Sequence, residues 1–206
     1  MALFMLEAAA LSLLISQCAP DVSPETVKTI IQVESGGNPY VVANVTDKTS
    51  HRFNSEKEAI NFSDKLQHQG KKYSAGLMQI YVENFKHHQL TNKTVFNPCK
   101  NIKSGAAILK KCFLQAKKGN IDNQTAIRKA MSCYYSGNFT RGFKNEKDGK
   151  SYVQRIEEKI LPSSYIVPAI KKKEENEEEK LTEKKSKSAV LTKNENVIQW
   201  DVFGDY

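Results

Sequence analysis

Nowhere in the 206 residues does an apolar run approach the roughly 18 positions that a membrane-spanning helix requires, so no stable transmembrane span is expected. The four cysteines, Cys18, Cys99, Cys112 and Cys133, include no C-x-x-C pair, which argues against metal ligation, and no cofactor is expected either. Zinc-finger spacing and aromatic-basic RNA-binding signatures are missing, and no internal repeat is visible. The basic excess therefore reads as a solvated surface, and no nucleic-acid partner is expected. Its lysines come as scattered pairs at 71–72, 110–111 and 117–118, mostly on what look like polar helix faces. Tryptophan is the scarcest aromatic: the only one, Trp200, lies near the C-terminus.

The formal charge of +8 is unevenly spread. Residues 171–206 hold 8 Lys and 9 acids, leaving +9 on residues 1–170. Seventeen charges in 36 positions, introduced by KKKEENEEEK, are too many to bury, so this stretch reads as a disordered charged tail. It ends in the apolar-aromatic run at 197–203, which could dock on a partner, fold back on its own domain or stay disordered. The expected division is 1–17, an export signal or first helix; 18–165, a folded domain; and 166–206, the tail.

At the N-terminus, residues 8–15 form an apolar stretch of signal-peptide length. A positive n-region is lacking, Glu7 intrudes, no A-x-A site follows, and Gln17 before Cys18 spoils a lipoprotein-type cleavage site. Export by a degenerate signal is the favoured reading, and a first core helix is its rival. Cys112 and Cys133 fall on two successive helical patterns joined near Gly119 and Asn120. An antiparallel hairpin would bring them together, favouring Cys112–Cys133 and leaving Cys18–Cys99. Four buried free thiols remain the alternative.

Ser23-Pro24-Glu25 is a helix start, and Val27, Ile30 and Ile31 form an i, i+3, i+4 stripe. The next position of that stripe is Glu34, just before Gly36-Gly37-Asn38-Pro39 ends the helix. Burial and the negative end of the helix dipole both disfavour a charged carboxylate there, which suits a proton donor near neutral pH. Taken alone, Glu34 reads more readily as an exposed residue at a frayed helix end. Residues 45–73 are polar and hard to place, apart from a weak helical pattern at 56–66. In the apolar run 73–81, Gln79 is a lone amide that needs partners, either substrate or core groups. Helices are predicted from Asn101, over 123–135 and over about 146–161, with Tyr134 pointing inward at the end of the second. Strand signal is confined to 41–45 and 77–82, so the fold class is mainly α with a small β element.

Three pieces stand in a telling order: ESGGNP at 34–39, SAGLMQI at 74–80, and AMSCYYSGN at 130–138 followed by SYVQRI at 151–156. Together they resemble the lytic transglycosylase (goose-lysozyme-like, SLT) domain over about residues 15–160. The resemblance is closest to the small version encoded with type IV secretion and conjugation systems. The third motif departs, because Tyr135 stands where that family usually has Asn.

The resemblance implies a lysozyme-like α+β fold and non-hydrolytic cleavage of the β-1,4 bond between N-acetylmuramic acid and N-acetylglucosamine in periplasmic peptidoglycan. Glu34 matches the catalytic acid/base: it would protonate the leaving oxygen, then deprotonate the muramoyl 6-hydroxyl, giving a 1,6-anhydro sugar. Ordinary glycosidases need two carboxylates, and no second acid here has a comparable inward position; participation by the substrate's 2-acetamido group would fit. By position, Ser35 and Ser74 would lie near Glu34 and bond it or the substrate. Gln79 would hold an N-acetyl or hydroxyl group, and Met78 would form an apolar platform. Tyr134 would donate to Glu34, and Tyr152 would line the groove and stack on a sugar, or else pack in the core. Secretion-system components are the partners implied for the tail. The rival activities are a goose-type muramidase using water and a non-catalytic wall-binding assembly factor.

Overall fold

The computed structural model describes residues 8–160; the expected tail and the first seven residues lie outside them. The fold is mainly helical, with a small antiparallel sheet. Two helices open it, α1 (Ala8–Cys18) and α2 (Pro24–Glu34). Leu11 and Ile15 of α1 are buried in the main core. In α2 the predicted stripe is fully buried at Val27, Ile30 and Ile31, each worth roughly 1.5–3 kcal/mol of apolar transfer. Pro24 occupies the first turn as expected, although the Ser23 side chain makes no capping bond.

The sheet comprises β1 (Val41–Asn44), β2 (Thr49–Arg52), β3 (Tyr73–Ala75) and β4 (Ile80–Tyr81), ordered β2-β1-β3-β4 and antiparallel throughout. Between β2 and β3 lies α3 (Glu56–His68), capped by the Ser55 hydroxyl, which accepts from the Glu58 amide. Most of the polar stretch at 45–73 is thus regular structure. It resists reading because β2 is an edge strand with three of its four residues exposed, so it carries no apolar alternation.

The C-terminal half packs α4 (Pro98–Lys117) against α5 (Asn123–Ser136), with α6 (Tyr152–Ile160) lying on α2 and α5. Helix α4 starts three residues before the predicted Asn101, because Asn97 caps it by accepting from the Lys100 amide and Pro98 follows in the first turn. Helix α6 is shorter than predicted. The segment before it turns back at Asp148-Gly149, where Gly149 has a φ of +79° and its amide bonds the Glu146 carbonyl. Both expected disulfides are present: Cys18–Cys99 ties α1 to α4, and Cys112–Cys133 ties α4 to α5. No helix among the described residues is long and apolar enough to cross a membrane.

Candidate active site

Three helix ends converge on Glu34. It is the last residue of α2, and the chain then leaves through two left-handed glycines, Gly36 (φ +62°) and Gly37 (φ +85°). Helix α6 packs beside it, so the Tyr152 hydroxyl donates to Glu34 Oε1 at 2.6 Å. No described residue donates to Oε2. Burial pushes the carboxyl up to about 7. The Tyr152 hydrogen bond and the positive Arg155 oppose that rise, and Glu146 adds to it. The Tyr152 and Tyr134 phenols are themselves pushed well above their usual range, by burial and then by Glu34, so both remain protonated donors.

The tyrosines divide the work differently from the expectation. Tyr134 does not bond Glu34; its hydroxyl donates to the Met78 carbonyl at 2.6 Å, pinning the β3–β4 loop to α5. The donor to Glu34 is Tyr152, which is 3% exposed and stacks on Tyr135 rather than lying open for a sugar. Periodicity shows that a tyrosine points inward, but not which acceptor it meets.

The loop between β3 and β4 carries the second motif. Gly76 (φ +86°) and Gln79 (φ +47°) both take left-handed conformations there. Gln79 spends its amide hydrogens on the Val41 and Gly76 carbonyls, at 3.1 and 2.8 Å. No described residue donates to its side-chain oxygen, which can accept from a ligand. Met78 provides no surface platform: it is fully buried, and its sulfur would lie 2.5 Å from a Cβ added at Gly105. Ser74, in β3, is partly buried and pairs across the sheet with Ala43 and Tyr81. Ser35 is wholly buried; its hydroxyl donates to the Ile31 carbonyl and accepts from the Gly37 amide, so it shapes the helix end and makes no hydrogen bond to the Glu34 carboxyl.

Several supporting residues escaped sequence reasoning. Asn101, fully buried in α4, accepts from the Met78 amide and donates to the Ala75 and Val95 carbonyls. The signal available was a polar residue on an otherwise apolar helix face. Arg52 donates to the Ser35 carbonyl at 2.6 Å, bracing the end of α2 from β2. Glu146 is the other carboxylate that Glu34 feels, but it is engaged by Tyr135 and Arg155. An open depression of about 540 Å³ beside Arg52, Phe53 and Phe62 contains none of the motif residues. Among the described residues no group of three or more His, Cys, Asp or Glu could hold a metal ion.

This geometry falls within a stretch that matches a known family: residues 14–156 match the transglycosylase SLT domain. The chain belongs to the SLT transglycosylase family. Among curated relatives, it is 42% identical over 144 residues to the type IV secretion system protein virB1 of Brucella abortus biovar 1, covering 69% of this chain and 60% of that one. The same figures hold for the virB1 of Brucella suis biovar 1. Protein virB1 of Agrobacterium fabrum is 30% identical over 191 residues, 92% of this chain and 69% of the relative. The chain thus spans about 60% of the length of the Brucella relatives. No solved structure matches it significantly. All three motifs and the convergence on Glu34 lie inside the family match.

Proposed function

We propose that this protein is a peptidoglycan lytic transglycosylase that cleaves the MurNAc-β-1,4-GlcNAc bond and leaves 1,6-anhydromuramoyl ends, opening the wall locally for a type IV secretion system. The observation that carries this reading is the state of Glu34. Its carboxyl titrates near 7, receives one hydrogen bond and keeps one oxygen free, which suits a group that must give and then retake a proton at neutral pH. Glu34 would protonate the leaving glycosidic oxygen. As a carboxylate it would then accept the proton of the muramoyl 6-hydroxyl while that oxygen attacks C1. The 2-acetamido group of the substrate would stand in for a second carboxylate, since Glu146 is held by Tyr135 and Arg155 and is not free to act as nucleophile.

Gln79 would accept from a hydroxyl or N-acetyl N–H of the glycan through its side-chain oxygen. Ser74, Tyr134 and Met78 would shape that wall of the site, the last two through the Tyr134–Met78 bond. The net charge of +9 on residues 1–170 suits a polymer bearing peptide carboxylates. Two disulfides suit an oxidising compartment such as the periplasm. The tail is proposed to reach components of the secretion apparatus; removing 171–206 should abolish their capture and leave wall digestion intact.

Purified wall should be digested by the wild type and not by E34Q, and mass spectrometry of the fragments should find anhydro ends. Reducing ends would make the protein a muramidase. Equal digestion by both proteins would remove Glu34 as the catalyst.

A further inference from the structure

Tyr135 occupies the position where the resemblance leads one to expect Asn, and the structure gives it a definite environment. Its ring lies against that of Tyr152 with centroids 4.5 Å apart and planes 14° from parallel. Its hydroxyl bonds Glu146, which also holds the Arg155 guanidinium. Arg155 sits one turn beyond Tyr152 on α6, and Asp148 flanks it at 3.9 Å. The contacts close a ring: Tyr135 to Glu146, Glu146 to Arg155, Arg155 back along one helical turn to Tyr152, and Tyr152 onto Tyr135.

Such a ring answers a specific mechanical need. Tyr152 is the first residue of a nine-residue helix, directly after the loop that turns at Gly149. Ser151 caps the helix there, its hydroxyl accepting from the Gln154 amide, which holds the backbone but does not set the torsion of the phenol ring. A single hydrogen bond to Glu34 cannot set the plane of the phenol. A parallel ring at stacking distance does, and Glu146 ties that ring, which α5 carries, to Arg155 on α6.

We propose that Tyr135 is a positioning residue: its ring, anchored by Glu146 and Arg155, holds Tyr152 in the orientation that donates to Glu34. An Asn at this position would offer no ring to stack on, so the device depends on the departure from the family pattern. The proposal rests on the reading of Glu34 as catalyst only for its consequence on turnover; the orientation of Tyr152 stands apart from it. The ionisable groups facing Glu34 are Tyr134 from α5, Tyr152 and Arg155 from α6, and Glu146 from the preceding loop.

A double-substitution cycle on the full chain tests the idea, using Y135L, Y152F and the two combined, with soluble glycan fragments as substrate. Y135L and Y152F should each lower kcat about tenfold and leave KM within about twofold. Y135L should cost nothing further once Tyr152 has lost its hydroxyl, because it acts through that group. Y135F keeps the ring and loses the grip of Glu146. It should lower kcat about threefold, with an unchanged Tm, and should again have no effect in the Y152F background. Equal losses from Y135L or Y135F in both backgrounds, or a change confined to KM, would overturn the proposal in favour of a structural or sugar-contacting role.

A second readout needs no turnover. The Glu34 carboxyl, followed by carbon NMR and assigned by its disappearance in E34Q, should titrate higher in Y152F and in Y135L, and no higher in the double variant. A Glu34 midpoint unmoved by Y135L would also overturn the proposal. If Y135L does not fold, Y135F carries both readouts. If E34Q digests wall as well as the wild type, the catalytic reading fails, and the titration still decides the role of Tyr135.

Discussion

Glu34 holds its proton more tightly in the folded chain than in the unfolded one. The folded carboxyl titrates near 7, against 4.5 for an ordinary glutamate, because burial destabilises its charge more than Tyr152 and Arg155 relieve it. Between those two pH values the native state carries the extra proton, so stability is highest at the acidic end and falls as pH rises through the folded value. Full ionisation costs on the order of 3 kcal/mol. E34Q removes that cost. Its melting temperature should match the wild type at about pH 5 and exceed it by several degrees at about pH 8. An offset that is the same at both would show that the carboxyl is not held protonated. With Glu34 in the proposed role of proton donor, kcat should also decline above a midpoint of about 7, where that proton is lost. Glu34 was legible in the sequence because a carboxylate interrupts an i, i+3, i+4 stripe one residue short of a Ser-Gly-Gly exit. Its partner was not, because Tyr152 lies 118 residues away and only the packing of α6 on α2 brings its hydroxyl there.

At the scale of elements, the β3–β4 loop depends on α4 as well as on its own residues. Asn101 makes three hydrogen bonds into and beside it, satisfying one buried amide and two carbonyls. N101A should therefore destabilise the fold by about 3 kcal/mol in urea unfolding, since the groups it leaves are buried without partners. A loss below about 1 kcal/mol would mean that water replaces the amide. Gly76 belongs to the same contact. A Cβ there would lie 2.1 Å from Asn101 Nδ2 and 2.9 Å from the Val95 carbonyl, at a φ of +86° that disfavours side chains. G76A should consequently lose wall digestion together with stability, measured by the same unfolding and lysis assays. The Gly-Leu-Met-Gln-Ile element was recognisable as a motif. Its Met, however, faces Gly105 in the core, and its Gln is tethered by backbone carbonyls. A linear pattern carries the identity of such residues but not the direction of their atoms.

Across the whole molecule, the two disulfides hold the helical layers that meet at the site. Cys18–Cys99 closes 81 residues and anchors α1 to the start of α4; Cys112–Cys133 closes 21 and joins α4 to α5. Chain-entropy arguments put their contributions at about 4.5 and about 3 kcal/mol. C18A/C99A should thus be less stable than C112A/C133A by roughly 1 kcal/mol in urea. The reverse order would show that local packing at α4 and α5 outweighs loop length. The Cys112–Cys133 pair could be anticipated from the hairpin of two helical patterns, with the other pair following as the remainder. Free thiols were excluded only by the Cα separations of 5.4 and 5.8 Å, which bring each pair within bonding reach.

What was decidable from the chain alone was local or periodic: most of the helices after the first, the buried stripe that ends in Glu34, the charge imbalance, and the motifs that carry the family resemblance. Such features depend on neighbours within one or two helical turns. Contacts between distant segments needed the fold. The exposed edge strand β2 had no apolar alternation to betray it, and Glu146 became part of the site only when a turn at Gly149 folded it against α5 and α6. The assignment of Tyr152 to Glu34, of Tyr134 to the Met78 carbonyl, and of Tyr135 to the face of Tyr152 followed from helix packing. Three adjacent phenols have the same hydrogen-bonding capacity, so only their placement in space could give each its partner.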